Sequence, residues 1–232
     1  MRLLSELLNY LKIKELYPPQ KEAINYVEKN HSVLVSVPTA AGKTLVAYAA
    51  LMRAVEAKKK GIYLVPLRAL AWEKVEELKD ICKHILKGAK VGVSVGDYDK
   101  ARGLSKYDII VSTSERADSL TRHNPSWLTD VNCLVSDEIH LLNDSGRGPT
   151  LEVTLSKFRE INPSIQIIGL SATVSNSKEI ADWLDATLVE SDFRPVPLRK
   201  GIAIEKTIEW EDDQNKNIIL EGAEGLSLDN LP

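Results

Sequence analysis

Long apolar runs, cysteine and any strong excess of charge are what this 232-residue sequence has little of. No apolar stretch approaches the ~18 residues that a membrane-spanning helix needs, so no membrane partner is expected. The opening MRLLSELLNYLKIKEL is leucine-rich enough to suggest a signal peptide, but Glu6, Asn9 and Lys12 interrupt its apolar core. It reads as an amphipathic helix with its leucines on one face. The two cysteines, Cys82 in a helix-like stretch and Cys133 in a strand-like one, show no metal-ligand spacing. They read as small apolar thiols of a reduced, cytoplasmic protein. With 30 basic against 33 acidic residues, the chain is not coated in positive charge, which leaves a local basic groove open. Low-complexity tracts and internal repeats are also missing, so the length suits one large α/β domain or a domain and a half.

What is present is alternation. β-branched, apolar runs at Ser32–Val37, Gly61–Val65, Lys90–Val95, Tyr107–Ser112, Asn132–Asp137 and Ser164–Leu170 read as strands. Between most of them lie amphipathic stretches, at Gly42–Lys60, Arg68–Lys87, Glu115–Arg122 and Thr150–Glu160. Such alternation predicts βαβ units around a mostly parallel sheet, and strands apolar throughout (VLVSV, NCLVSD, IQIIGL) predict helices on both faces. Ligands of such sheets sit at the carboxyl ends of the strands. Chemistry is therefore expected just after each strand.

Four segments meet that expectation. The stretch PTAAGKT, residues 38–44, follows a strand and ends in Gly42-Lys43-Thr44, but Val37 stands where a phosphate-binding loop usually opens with glycine. Loop amides from Thr39 to Gly42, with small Ala40 and Ala41 keeping the backbone accessible, would surround phosphate. Lys43 would reach the β- and γ-phosphates and Thr44 would hold Mg²⁺. The second segment, DEIH, puts Asp137 and Glu138 at the end of an apolar strand. In a nucleotide hydrolase the Asp holds Mg²⁺ and the Glu activates water, although an acidic helix start reads the same way. In the third, GLSAT, Ser171 and Thr173 are placed to bond those carboxylates, or simply form a turn. The fourth is LYPPQ, in which Pro18-Pro19 predicts an extended entry and Gln20 a helix start. A Gln amide can bond adenine N6 and N7 together, and Tyr17 can stack on the base; an ordinary Pro-Pro-Gln helix start is the alternative.

This order of motifs resembles the ATP-binding core of superfamily 2 helicases, whose phosphate loop often dispenses with the first glycine. The resemblance is closest to the Ski-like branch, and within it to the archaeal Hel-type DNA repair helicases. PPQ, PTAAGKT, VPLRALA, GDYD, TSERADSL, DEIH, GLSAT and FRPVPLRKG carry it, from residue 17 to about 201. The resemblance implies an α/β fold of the RecA-like P-loop NTPase type, ATP and Mg²⁺ as cofactors, and usually 3′→5′ movement along a strand. It implies adenine recognition by Gln20, phosphate and Mg²⁺ binding by Gly42, Lys43 and Thr44, Mg²⁺ binding by Asp137, and Glu138 as catalytic base. His140, Ser171 and Thr173 would relay the nucleotide state, though His140 also reads as a satisfied buried histidine.

Two segments are expected to touch nucleic acid. Arg68, just after a strand, can pair with phosphate or merely face solvent at a helix start. Ser112 and Glu115 have capping-box spacing before a helix whose N-terminus, with Thr113 and Ser114, can meet phosphate. Neither set reads bases, so binding should tolerate sequence and weaken with salt. Trp72 stands where this family would have a small residue. Trp127 and Trp183 are expected in the core, and Lys58-Lys59-Lys60 at the end of a helix.

The expected organisation is residues 1–30 as N-terminal helices with the adenine motif, 31–201 as the RecA-like domain, and 202–232 as a strand and acidic linker. The linker would lead towards a second RecA-like domain of a longer chain, whose arginines would complete the ATP cleft. Single-stranded or forked DNA is the expected partner. The motifs leave RNA open, and they leave open a nucleotide-binding regulatory module that does not translocate.

Overall fold

The computed structural model describes residues 2–95, 101–196, 201–204, 207–210 and 218–219. GDYD (96–99), residues 197–200 of FRPVPLRKG, and the tail beyond 210 apart from Ile218–Ile219 lie outside the described residues. The chain divides into two units, residues 1–193 and 194–232.

The first unit is built on a sheet of seven strands: β1 (Val33–Ser36), β2 (Lys60–Val65), β3 (Val91–Ser94), β4 (Ile109–Thr113), β5 (Val131–Ser136), β6 (Gln166–Ser171) and β7 (Thr187–Glu190). Their spatial order is β3-β4-β2-β5-β6-β1-β7, and every pairing is parallel. Parallel neighbours need long crossovers, and the helices supply them. Two helices precede the first strand, α1 (Arg2–Tyr10) and α2 (Pro18–Glu28), and the crossovers carry α3 (Thr44–Glu56), α4 (Arg68–Ile85), α5 (Ser114–His123), α6 (Gly148–Ile161) and α7 (Ser177–Leu184). They cover both faces, as the uniformly apolar strands require.

Strand alternation sorts the core in two. Val33, Val35, Tyr63, Cys133 and Val135 pack with α1 to α4 on one face. Leu34, Ile62, Leu64 and Leu134 pack with α5, α6 and α7 on the other, where Trp127 is buried and Trp183 half-buried. This is the RecA-like α/β architecture expected from the sequence, and all six expected strands are present within a few residues. The seventh, β7, was not expected. It is a four-residue edge strand with a half-exposed pattern, held by its register with β1 (Val33 opposite Thr187).

Two local expectations are corrected. Pro18 and Pro19 are not an extended entry but the first helical residues of α2, where a missing N–H costs nothing. The three lysines do not end a helix: α3 stops at Glu56, Lys58 turns through a left-handed φ of 57°, and Lys60 belongs to β2. Its ammonium donates to the carbonyls of Ser105 and Tyr107 at 2.7 Å.

In the second unit, the stretch read as one strand-like segment is a hairpin. β8 (Gly201–Ile204) pairs antiparallel with β9 (Thr207–Trp210), and β10 (Ile218–Ile219) adds to β9.

Candidate nucleotide and nucleic-acid site

β1 runs straight into the loop 37–43, and α3 begins at Thr44. The loop is tight because two residues are left-handed, Ala40 (φ 70°) and Gly42 (φ 73°), and because the Ala41 N–H donates to Pro38 O at 3.2 Å. Gly42 takes this conformation without strain, and Ala40 does so at a cost of roughly 1–2 kcal/mol. The loop is closed on its own carbonyls. Lys43 Nζ donates to Val37 O at 3.0 Å, and Gln20 Nε2 donates to Gly42 O at 3.0 Å and Ala41 O at 3.3 Å. Gln20 Oε1 accepts the N–H of Tyr17 at 2.9 Å, so the buried amide is fully used inside the protein. Tyr17 is partly exposed, its ring 5.0 Å from that of Phe193. Thr39 and Ala40 are exposed, Ala41 is buried, and Thr44 is half-buried.

The carboxylates stand at the end of β5. Asp137 is held from two sides: Tyr63 Oη donates to Oδ2 at 3.0 Å and the Glu138 N–H donates to Oδ1 at 3.0 Å. Glu138 sits in the left-handed region (φ 49°), a strained position for a side chain that is not glycine. The two carboxylates act on Lys43. Burial lowers the Lys43 pKa from its ordinary value, and the charges of Glu138 and then Asp137 pull it back up. His140 is half-buried, its Nδ1 3.4 Å from Glu138 Oε2 and 3.5 Å from Ser171 Oγ. The fold thus brings Glu138, His140 and Ser171 together, although Ser171 donates its own proton to Ala172 O at 2.6 Å. Thr173 is exposed two residues further on.

A second cluster lies at the ends of β2, β3 and β4. A cavity of about 400 Å³ is lined by Arg68, Thr113, Glu115, Arg116 and Arg147, among others. Arg68 is exposed as the first residue of α4, with exposed Trp72 one turn later. Arg116 Nε donates to Ser94 Oγ at 3.2 Å. Arg147 pairs with Asp144 at 3.1 Å, and that pairing, with N–H bonds from Arg147 and Gly146, draws the Asp144 carboxyl down to about 2. Ser114 does not line the cavity. The expected capping box at Ser112 does not form, because α5 starts one residue later than its spacing requires. Ser112 belongs to β4 and is buried, its hydroxyl donating to Ser94 O at 2.8 Å, and Thr113 is the cap residue.

Three features escaped sequence reasoning. Arg116 comes from α5 and Arg147 from the residue just before α6, and they line one cavity with Arg68 only through the topology. Asn143 and Asn176 exchange two amide hydrogen bonds, at 3.0 and 2.9 Å, tying the turn after DEIH to the loop after GLSAT. Tyr63 faces Asp137 across two strands, and nothing local in YLVPL announces that contact.

The description of DEAD/DEAH box helicases fits residues 17–181, the span that holds both clusters. The chain belongs to the DEAD/DEAH box helicase family. Among its relatives, the ATP-dependent DNA helicase Hel308 of Methanococcus vannielii is 47% identical over 236 residues, covering 97% of this chain and 31% of that one. Hel308 of Thermoplasma acidophilum is 52% identical over 189 residues, covering 81% and 28%. This helicase-family chain spans less than a third of the length of the curated relatives it matches. Its fold superposes on the DUF1998 helicase MrfA with a TM-score of 0.70 at 25% identity, over 82% of this chain and 32% of that one. MrfA bound to DNA and AMPPNP gives 0.73 at 24% identity over 85% and 30%, a likeness of fold alone. Among the described residues, no helix is long and apolar enough to cross a membrane.

Proposed function

We propose that this chain is the first motor domain of an ATP-dependent DNA helicase, binding ATP with Mg²⁺ and gripping a single strand by its phosphates. The observation that carries the reading is electrostatic. The charges of the Asp137–Glu138 pair after β5 reach Lys43 on the β1 loop, although they lie far apart in the sequence. A phosphate-binding lysine and two carboxylates in one neighbourhood are what nucleoside triphosphate hydrolysis needs.

In this reading the closed loop opens onto nucleotide. Lys43 exchanges the Val37 carbonyl for the β- and γ-phosphates, and the N-terminus of α3 meets phosphate together with the N–H groups of the loop. Gln20 exchanges the Gly42 carbonyl for adenine, and Tyr17 stacks on the base. The donors fit Mg²⁺, which takes hard oxygen ligands: the Thr44 hydroxyl and the Asp137 carboxylate, already oriented by two donors. When bound, Mg²⁺ neutralises charge on the phosphates. Glu138 orients the attacking water and takes its proton, with His140 beside it. Ser171, Thr173 and His140 carry the nucleotide state towards the strand. Arg68, Thr113 and Ser114 hold phosphates, with Arg116 and Arg147 extending the grip.

The relatives' names favour DNA over RNA and an intracellular site of action. A second RecA-like domain would supply the arginines that stabilise the transferring phosphoryl group, worth ~10³–10⁵ in rate. The 232-residue chain alone is therefore expected to bind nucleotide weakly and to unwind negligibly. Calorimetric titration of ATP and GTP with Mg²⁺ tests the reading, beside Lys43→Ala and Gln20→Ala. ATP preferred over GTP, lost with Gln20→Ala, and binding abolished by Lys43→Ala is the expected result. Binding indifferent to Lys43→Ala would overturn it.

A further inference from the structure

β2 carries Tyr63 into the middle of the sheet, where it is fully buried against α3 and α4. A buried phenol needs a hydrogen-bond partner, and this one donates to Asp137 Oδ2 at 3.0 Å. The opposite oxygen of Asp137 accepts the Glu138 N–H. A carboxylate on its own turns broadly about its last torsion. Here one donor on each oxygen fixes its plane before any ligand arrives.

The donor is itself braced. The Tyr63 ring lies 6.4 Å from that of Tyr48, tilted by 51°. The Tyr48 hydroxyl donates to Glu77, and Glu77 also takes Lys74 Nζ at 2.9 Å. Both α3 and α4 therefore hold Tyr63 in place.

We propose that Tyr63 is a positioning residue: its hydroxyl sets the orientation in which the Asp137 carboxylate meets the Mg²⁺ of a bound Mg²⁺–nucleotide. The inference rests on Asp137 being a Mg²⁺ ligand and extends it to a residue that no motif marks. Groups that orient metal ligands from behind matter strongly, and their removal costs about 10–100-fold in metal affinity. If the hydroxyl served packing alone, its loss would lower stability and leave the metal untouched.

Tyr63→Phe keeps the ring and removes only the donor. The binding of a fluorescent ADP analogue at up to millimolar concentration is followed while Mg²⁺ is titrated from EDTA upward, in wild type, Tyr63→Phe and Asp137→Ala. Affinity in EDTA is expected to be equal in wild type and Tyr63→Phe. The Mg²⁺ concentration giving half of the enhancement should rise about tenfold or more in Tyr63→Phe, and the enhancement should vanish in Asp137→Ala. An unchanged Mg²⁺ midpoint in Tyr63→Phe beside a lost enhancement in Asp137→Ala sinks this proposal alone, whatever happens to the melting temperature. No Mg²⁺ enhancement in wild type, or one that survives Asp137→Ala, removes Asp137 as ligand and this proposal with it.

Discussion

Replacing Gly42 by alanine probes how the loop between β1 and α3 is held. Gly42 has φ at 73°, a conformation that costs an L-residue about 1–2 kcal/mol. The new methyl would also collide with Gln20 Nε2 and push the amide off the carbonyls of Ala41 and Gly42. At about 0.5–1.5 kcal/mol per bond, losing both adds about 1–3 kcal/mol, for a total of about 2–5 kcal/mol. Gln20→Ala loses the same two bonds and the one from the Tyr17 N–H, about 1.5–4.5 kcal/mol in all. In the double variant the two shared bonds are lost once and the collision is gone. The two single costs should therefore exceed the double by about 1–3 kcal/mol. Urea unfolding of the four proteins, followed by far-ultraviolet circular dichroism, reads this coupling. Additive costs would refute the claim that the Gln20 amide holds the loop. A Gly42→Ala protein as stable as wild type would refute the left-handed loop itself.

Other outcomes follow from the same structure. Burial pushes the Cys82 thiol up to about 11 and the Cys133 thiol up to about 12. At pH 8 their thiolate fractions are then about one in a thousand or less. Neither should react with a disulfide reagent until urea is added, and prompt labelling of the native chain would contradict their burial. The Lys43 pKa is lowered in the free chain, so stability should rise with pH where the folded lysine has lost its proton and the unfolded one has not. Phosphate should raise that pKa, so nucleotide binding at alkaline pH should take up protons, seen as a heat that varies with buffer ionisation enthalpy. A binding heat independent of buffer there would place Lys43 away from the phosphates. Arg68→Ala should lower the salt slope of single-strand binding by about 0.7, the value of one phosphate contact; an unchanged slope would remove Arg68 from the strand.

Much of this protein was legible in its sequence because the signals were local. Six strands announced themselves as short β-branched runs bounded by turn residues, and the helix after PTAAGKT by its Gly-Lys-Thr start. Asp137 and Glu138 followed an apolar strand, and in a parallel sheet that position is the ligand edge. Errors came where one residue of offset changes the meaning. Ser112 had capping-box spacing, but it is a buried strand residue of β4 next to Thr113, and Lys60 looked like a helix end but opens β2. β7 was illegible because four residues with only Val189 buried carry little pattern; its existence depends on the hydrogen-bonding edge that β1 offers.

By itself, the sequence determined the α/β class, the tight strand-to-helix loop after β1 and the carboxylates after β5, since each depends on neighbours a few residues away. The strand order β3-β4-β2-β5-β6-β1-β7 was decided only by tertiary structure. So were the closing of the loop by Gln20, the meeting of Arg68, Arg116 and Arg147, and the donor that Tyr63 gives Asp137. These contacts join residues tens of positions apart. Burying the two apolar faces of one sheet sets where each strand lies, and that placement fixes which side chains meet.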